Sequence, residues 1–195
     1  MTSVGTGHFL TIDSLLDTFH ESAAAGDLGR YFSCFHPKGT FLGTDVTENW
    51  SAPEFLIFCR PIFEPLGMKK GGWTYTPIAG TRKYNFFPTE SECSFATFDE
   101  CVISSDFKVV CRGSGSVTKS ADGHWLVFSY HLTFNVPNAI AQQICKDIHK
   151  YESASLLRDQ TTAADKAAAD LLAEFEGVAV STGHGNKKDK AKRKK

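Results

Sequence analysis

The first candidate for chemistry is Asp99, a carboxylate that alternates with apolar residues on a predicted strand. Phe95 and Ile103 share its strand face. A charged carboxylate among apolar neighbours costs several kcal/mol unless it is paired or protonated. Two roles therefore remain open. Asp99 could be a general acid or base in an apolar pocket, or it could form a structural ion pair with Arg82 or Arg112.

Two further polar residues could act beside Asp99. His131 is the only histidine on a predicted core strand, where it could be an acid/base partner or a buried imidazole bonded to backbone or to a carboxylate. Asp45 follows a short strand and could line a pocket mouth, or it could stabilise the turn by bonding Thr47 and Glu48. We expect Glu48 to be a solvated loop residue.

Aromatic and basic residues complete the set of candidate ligand contacts. Tyr75 and Tyr130 could each donate a hydrogen bond to a ligand oxygen or could fill the core. Trp73 either packs in the core or offers a flat face to a ligand. The candidate ligand contacts are Asp45, Trp73, Tyr75, Arg82, Arg112 and Tyr130.

Signatures of other chemistries are missing from the sequence. The remaining histidines and the six cysteines have no metal-ligand spacing, and no G-x-S-x-G pattern supports nucleophilic catalysis. Gly113-Ser114-Gly115 is no phosphate loop, because it lies inside a strand pattern and no helix follows it. There it predicts a bend or bulge. We expect neither a metal nor a cofactor.

Three helices are predicted before the strands that carry these residues. Apolar residues recur at helical spacing from Phe9 to Ala23, and Gly26 is a good helix stop. Asp27 can cap a short second helix that runs through Phe35 and is ended by Pro37, and Thr40–Leu42 is typical of a short strand. Ser51-Ala52-Pro53-Glu54 is a capping box that opens a third helix.

From Gly72 the pattern changes to period two. Four long strands are predicted, at 72–87, 91–104, 108–119 and 124–135. Helices followed by a meander of strands indicate an α+β fold with the helices on one sheet face.

The last predicted strand is apolar on both sides. One face carries Leu126, Phe128, Tyr130, Leu132 and Phe134, and the other carries Trp125, Val127, Ser129, His131 and Thr133. A solvated sheet face alternates more cleanly towards charge. We therefore expect helices to cover one face and the second subunit of a homodimer to cover part of the other.

Charge is divided unevenly along the 195 residues. The net charge is −1, but Lys187–Lys195 holds seven Lys or Arg and one Asp, or +6, which leaves −7 for the remainder. An acidic body is a poor nucleic-acid binder. The basic tail is expected to make only weak, salt-sensitive and non-specific nucleic-acid contacts, or to serve as an import signal.

The cysteines indicate a reducing compartment. Their neighbours are mostly apolar and none forms a C-x-x-C pair, so we expect structural free thiols. The opening residues do not resemble a signal peptide, and no apolar run approaches a membrane span. We expect a cytoplasmic protein without membrane contact, with the nucleus as the alternative through the basic tail.

Several short motifs resemble a known family. They are GTDVTENW at 43–50, GWTYTP at 72–77 with Arg82, FDE at 98–100, CRGSG at 111–115, and YHLTF at 130–134 followed by VPN at 136–138. In this order they resemble a SnoaL-like subgroup of the nuclear transport factor 2-like (ketosteroid isomerase-like) superfamily. The resemblance covers about residues 12–138.

The resemblance implies a cone: a curved antiparallel sheet wrapped around N-terminal helices, with a pocket at the open end. It also implies that dimers form through the outer sheet face. Relatives include a ketosteroid isomerase, polyketide cyclases, a dehydratase and non-catalytic modules, so the fold does not give the function. The catalytic Asp of the cyclases lies in a motif that does not align here, and no catalytic role transfers.

The expected organisation is a SnoaL-like domain at 1–138, a helical extension at 139–177 and a disordered basic tail at 178–195. The first functional hypothesis is a pocket for a small apolar or aromatic ligand, with proton-transfer chemistry of isomerase or cyclase type carried by Asp99 and His131. The second is a non-catalytic dimeric interaction module. An open cavity with convergent polar groups favours the first, and a cavity filled by side chains favours the second.

Overall fold

The computed structural model describes residues 10–65, 71–90 and 92–182, which contain four helices and seven strands. In chain order the elements are α1 (Ile12–Ala25), α2 (Leu28–Ser33), β1 (Phe35–Leu42), β2 (Asn49–Ser51), α3 (Ala52–Phe63), β3 (Tyr75–Pro77), β4 (Lys83–Phe87), β5 (Phe95–Ser104), β6 (Val110–Lys119), β7 (Trp125–Phe134) and α4 (Asn138–Thr182). The chain divides into two compact units, 1–135 and 136–195.

The helices of the first unit begin where the sequence predicts, but α2 ends at Ser33 instead of continuing through Phe35, because Phe35 already begins β1 and pairs with Val127. The hydroxyl of Thr11 accepts a hydrogen bond from the Ser14 amide at the start of α1, and Gly26 ends that helix in a left-handed conformation. At the start of α3 the amide and hydroxyl of Ser51 both donate to the Glu54 carboxylate. The predicted capping box is therefore confirmed.

The seven strands form one curved sheet in the order β2-β1-β7-β6-β5, with β3 and β4 both paired to the far edge of β5. The α+β class is confirmed, and the sheet wraps around the helices of the first unit as a cone. One detail differs from the expected antiparallel sheet, because β1 pairs parallel to β7. The sheet is therefore mixed. The predicted strand at 72–87 is divided into β3 and β4.

A bulge in β7 changes which residues face the helices. Ser116 pairs with Ser129, but the next residue of β6, Val117, pairs with Val127, so Phe128 is an extra residue. The alternation of inward-facing and outward-facing side chains shifts by one position at the bulge. Trp125 and Val127 therefore join Tyr130 and Leu132 in the core. The prediction that these two pairs lie on opposite faces is wrong, because a strict period of two does not allow for the extra residue.

Aromatic rings fill the space between the helices and the sheet. Phe19 of α1 stacks on Tyr130 of β7 with ring centroids 4.6 Å apart. Phe41 of β1 stacks on Phe55 of α3 at 4.0 Å, with the rings nearly parallel. Large rings dominate this core because each one buries much apolar area in a small domain. The cone is therefore tightly filled away from its open end.

The second unit contains α4, which begins at Asn138 and ends at Thr182. Tyr151 and Leu157 are exposed on this helix. The helix thus covers the predicted extension at 139–177 and the first five residues of the predicted disordered segment. Residues 183–195, with the basic tail, lie outside the described residues. No helix in the described ranges is both long and apolar enough to cross a membrane.

Candidate functional site

The most deeply buried charged group is the carboxylate of Glu100, which lies on β5 and faces the helices. Its side chain is 0% exposed. Oε1 lies 2.7 Å from Nε2 of His20 and accepts a hydrogen bond from the Tyr130 hydroxyl at 3.1 Å. Oε2 accepts one from Nε of Arg82 at 2.9 Å. Three donors from α1, β7 and the loop before β4 therefore converge on one carboxylate.

These partners keep Glu100 ionised in spite of its burial. Burial by itself would raise the pKa of Glu100, but the hydrogen bonds from His20 and Arg82 and the charge of Arg82 outweigh it and hold that pKa below its usual value. Because an ionised carboxylate only accepts hydrogen bonds, Nε2 of His20 carries the proton that it shares with Glu100. Nδ1 is then the imidazole nitrogen left for a ligand.

Arg82 links this buried carboxylate to the surface of α1. Its Nη1 lies 2.7 Å from Oδ1 of Asp17 and 3.2 Å from Oδ1 of Asp13. Burial opposes the guanidinium charge, but Glu100 and Asp17 outweigh this effect and raise the pKa of Arg82. Asp13 also accepts a hydrogen bond from the Tyr84 hydroxyl. The positive charge of Arg82 thus lies between a buried carboxylate and two exposed ones.

The position of Tyr130 depends on a glycine in the neighbouring strand. Gly113 of β6 pairs with Glu100, and a methyl group at Gly113 would overlap the Tyr130 hydroxyl. The missing side chain lets the phenol cross β6 and reach the carboxylate. Burial, followed by the charge of Glu100, raises the pKa of Tyr130 well above its usual value, so the hydroxyl keeps its proton.

A small inner cavity of about 10 Å³ adjoins this cluster. Its polar lining residues are His20, Tyr31, Tyr75 and Tyr130. Its volume is close to that of one water molecule. The Tyr31 hydroxyl is fully buried and has no hydrogen-bond partner among the described residues. The neighbouring indole of Trp73 slightly opposes the rise that burial causes in the pKa of Tyr31, but it offers the hydroxyl proton no acceptor.

A larger cavity, which we call the mouth cavity, lies at the open end of the cone and has a volume of about 270 Å³. Its wall is mostly aromatic, with Phe41, Trp50, Phe55, Phe58, Trp73 and Phe107. It shares Phe41, Trp73, Tyr75 and Leu132 with the inner cavity. A molecule in the mouth cavity would therefore contact the same side chains that enclose His20 and Tyr130.

Four of the sequence-predicted site residues lie at these cavities or at the Glu100 cluster. Tyr130 and Arg82 bond Glu100 directly, and Trp73 and Tyr75 line both cavities. The structure therefore brings these four together, around a carboxylate that was not among the candidates.

Asp99 and Arg112 lie on the outer face of the sheet. Oδ1 of Asp99 is 3.6 Å from Nε of Arg112, and the two side chains are 38% and 53% exposed. The structure thus moves Asp99 from the expected pocket to the outer face, because the side of β5 that faces the helices carries Phe98, Glu100 and Val102. The catalytic role predicted for Asp99 stays a prediction.

His131 and Asp45 line a surface depression of about 430 Å³ beside β1 and β7, which shares Gly43, Thr44, Glu48 and Leu132 with the mouth cavity. Oδ1 of Asp45 accepts hydrogen bonds from the amide of Thr47 at 2.9 Å and from its hydroxyl at 2.7 Å. These bonds lower the pKa of Asp45 and match the turn role considered above. His131 pairs with Ser114 of β6 on the outer face, and its acid/base role also stays a prediction.

Sequence reasoning missed Glu100, His20 and Tyr31. A signal for Glu100 was present, because it alternates with Phe98 and Val102 as regularly as Asp99 alternates with the opposite set. His20 follows Phe19 on the apolar side of α1, but one histidine on a helix indicates nothing without its partner. No group of three or more potential metal ligands is found within the described ranges.

The profile of the SnoaL-like domain family matches residues 12–137. The chain belongs to the SnoaL-like domain family. The matched region of this SnoaL-like protein begins with α1 and ends just after β7, so it includes the Glu100 cluster and both cavities. The family does not fix a reaction, because its fold carries several functions.

Solved structures of nuclear transport factor 2-like, cystatin-like fold are similar to this SnoaL-like chain. One from Pseudomonas putida, of unknown function, is 10% identical over 65% of this chain and 86% of its own, with a TM-score of 0.49. One from Novosphingobium aromaticivorans is 11% identical over 68% and 84%, with a TM-score of 0.48. A domain of unknown function from Nostoc punctiforme is 15% identical over 85% and 94%, with a TM-score of 0.48. A comparison with curated proteins gave no significant match.

Proposed function

We propose that this SnoaL-like protein binds a small apolar or aromatic molecule in the mouth cavity and transfers protons at the inner end of that site. The observation that carries the proposal is that the mouth cavity and the inner cavity share part of their walls. Phe41, Trp73, Tyr75 and Leu132 line both the mouth cavity and the inner cavity. A ligand against this wall would contact residues that also line the inner cavity with His20.

His20 is the proposed acid/base group. Glu100 holds Nε2 of the imidazole at 2.7 Å and stabilises the positive charge that forms when Nδ1 takes up a proton. Glu100 and Arg82 are positioning residues in this scheme, because they act through His20. Tyr130 also orients the carboxylate, since its proton is already shared with Glu100.

The sequence-predicted ligand contacts are only partly used in this scheme. Trp73 and Tyr75 would touch the ligand from the cavity wall. Asp99, Arg112 and His131 have no part in this scheme, because they line neither the mouth cavity nor the inner cavity that His20 lines.

Binding can be tested with 3-phenyl-1-propanol, a neutral aromatic probe, by isothermal titration calorimetry. Ile62→Trp should block the mouth cavity, which Ile62 lines. Ile57→Trp is the matched control, because Ile57 lies on the same helix, is 72% exposed and does not line the cavity. We expect the probe to bind the wild type and the control and to bind the blocked variant at least about tenfold more weakly, or 1.4 kcal/mol. Equal binding to both variants would exclude the mouth cavity. Failure of the wild type to bind this alcohol and also the amine and the carboxylate of the same shape would exclude the proposal.

Proton transfer can be tested separately with 4-phenyl-2-butanone in deuterated buffer. A base at the site removes a proton next to the carbonyl, and deuterium from the solvent replaces it, which NMR follows directly. We expect the wild type to accelerate this exchange above the buffer rate and His20→Asn to lose the acceleration. Identical exchange with both proteins would refute the role of His20 while leaving binding intact.

The second candidate function is a dimeric interaction module, and one observation favours it. Phe95, Ile103 and Val110 lie on the outer sheet face and are 38–44% exposed, and the last two form a cross-strand pair. We propose that this face forms a homodimer. Sedimentation should show a wild-type dimer at micromolar concentration and a Val110→Glu monomer. A wild-type monomer would exclude the dimer.

We also propose a cellular compartment for the protein and a role for its basic tail. Cys34, Cys59, Cys93 and Cys111 are buried free thiols, which suits the reducing cytoplasm. The tail at 187–195 is proposed to make only weak, salt-dependent contacts with nucleic acid. Filter binding to DNA at two salt concentrations would check this, because tight binding at high salt contradicts it.

A further inference from the structure

The mouth cavity combines an apolar wall with charge of a single sign. Among the described residues that line it, Glu48 and Asp106 are the charged ones, and both are acidic. A ligand without charge would offer these carboxylates no opposite charge. An anionic ligand would be repelled by both.

The Glu48 carboxylate is held in place by the turn between β1 and β2. Its Oε2 accepts a hydrogen bond from the Asp45 amide at 3.2 Å. The Gly43 amide bonds the Glu48 carbonyl at 2.9 Å, and a methyl group at Gly43 would overlap the Glu48 carboxylate. The turn thus fixes this charge at the mouth, where the sequence had predicted only a solvated loop residue.

Asp106 and Glu48 line the same cavity although they come from different turns, β5–β6 and β1–β2. Burial raises the pKa of Tyr75 most, and the charges of Asp106 and Glu48 both add to that rise. Both carboxylates therefore add negative charge to the cavity whose wall includes Tyr75.

The aromatic wall favours the same ligand charge. Trp50 stacks on Phe58 with ring centroids 4.5 Å apart, and both line the cavity with Trp73. Aromatic faces attract cations, and tryptophan does so most strongly. At the rim, Phe58, Ile62 and Phe107 are 39%, 40% and 60% exposed, so an apolar ligand body would cover surface that otherwise faces water.

An independent observation concerns the inner cavity, which shares four lining residues with the mouth cavity. Tyr31 lines the inner cavity, and its hydroxyl is buried without a hydrogen-bond partner among the described residues. A buried hydroxyl in this state costs free energy unless something supplies an acceptor. A ligand or a water that enters from the mouth can do so.

We propose that the ligand of the mouth cavity is an organic cation, a protonated amine on an aromatic or aliphatic body, whose ammonium group lies between Glu48 and Asp106. This inference rests on the proposed function, because it names the class of ligand for the same cavity. The apolar body covers Phe58 and Ile62, and the uncharged end points towards the inner cavity.

The test compares three probes of one shape by isothermal titration calorimetry with the full chain. They are 3-phenylpropylamine, a cation at neutral pH, 3-phenyl-1-propanol, which is neutral, and 3-phenylpropionate, an anion. We expect the amine to bind at least about tenfold more tightly than the alcohol, a difference of 1.4 kcal/mol. We expect the anion to bind most weakly. The preference for the amine should weaken as salt rises.

Variants that each remove one charge show whether Glu48 and Asp106 cause the preference for the amine. Glu48→Gln keeps an oxygen for the Asp45 amide, and Asp106→Asn is a change at an exposed turn. Each should reduce the preference for the amine over the alcohol by a factor of about 3 or more, the weight of a partly exposed ion pair. Glu92→Gln, an exposed charge outside the cavity, is the control and should leave the preference unchanged.

The outcomes separate the two proposals. If the alcohol and the amine bind equally, or the anion binds best, the cation inference is overturned while the ligand-binding function stands. If none of the three probes binds, the proposed function fails and the inference fails with it. If the preference survives the double variant Glu48→Gln, Asp106→Asn, these carboxylates are not its source and the inference is overturned.

Discussion

Replacing Glu100 by glutamine tests the buried cluster most directly, because the new side chain has the same shape without the charge. Glu100 receives two donors on Oε1 and one on Oε2. Glutamine offers one oxygen and an amide NH₂, which is itself a donor. At least one donor therefore faces another donor, and Arg82 retains only Asp13 and Asp17, both more than half exposed, as anionic partners.

The expected cost is large for a domain of this size. Breaking a buried ion pair by removing one partner costs about 3–5 kcal/mol, against a total stability of about 5–15 kcal/mol for natural proteins. The lower end, about 3 kcal/mol, applies to Glu100→Gln, because His20 can change its tautomer and accept from the new NH₂. Urea unfolding followed by tryptophan fluorescence measures the change.

The neighbouring residue supplies the matched control. Asp99→Asn removes the same charge from the same strand, but on the outer face, where the pair with Arg112 is 3.6 Å long and partly exposed. Such pairs contribute about 0–1 kcal/mol. If Asp99→Asn destabilised the protein as much as Glu100→Gln, the assignment of inner and outer faces on β5 would be refuted.

The pH dependence of this difference has a defined sign. The folded-state pKa of Glu100 lies below its usual value, which is about 4.3 in an unfolded chain. The ionised carboxylate therefore contributes its stability above that unfolded value and loses it as the pH falls through the folded-state pKa. The gap in the free energy of unfolding between wild type and Glu100→Gln should be full at pH about 7 and shrink below about 4. A gap that widened in acid would contradict the ionised state.

Three further outcomes follow from single contacts. Gly113→Ala should lower the free energy of unfolding by about 1–3 kcal/mol, because its methyl group overlaps the Tyr130 hydroxyl; an unchanged urea midpoint would contradict this. Tyr31→Phe should leave stability unchanged or raise it, since it removes an unsatisfied buried hydroxyl; a loss above about 1 kcal/mol would reveal a partner. With a thiol reagent at neutral pH, exposed Cys145 should react first, while Cys34, buried with its pKa raised to about 12, should react only on unfolding; mass spectrometry checks the order.

Local features of this fold could be predicted from the sequence because they depend on neighbouring residues. The Ser51–Glu54 capping box and the stop at Gly26 each involve contacts within a few positions. The parallel pairing of β1 with β7 joins segments about ninety positions apart, as Phe35 with Val127. No local pattern encodes such a pair. The bulge at Phe128 likewise arises only from pairing with β6.

The candidate site also depends on contacts between distant parts of the chain, which the sequence alone does not reveal. Alternation along β5 places Asp99 and Glu100 on opposite faces, but it does not say which face meets the helices. That choice depends on the combined burial of Ala96, Phe98 and Val102 against α1 and its neighbours. The carboxylate that is buried is the one with donors from three distant elements, and such convergence is visible only when the chain is folded.

A purely structural role accounts for part of this cluster and leaves two buried polar atoms without a partner among the described residues, Nη2 of Arg82 and the Tyr31 hydroxyl. Arg82 offsets the charge of Glu100, and His20 and Tyr130 satisfy its remaining lone pairs, which is what any buried carboxylate requires. Tyr31 does not fit this account. Its hydroxyl is buried without a partner among the described residues, although a phenylalanine of nearly the same volume would avoid that cost. The hydroxyl lies on the wall of a cavity that meets the mouth cavity at four side chains, which is where a bound molecule or its water would supply the missing acceptor.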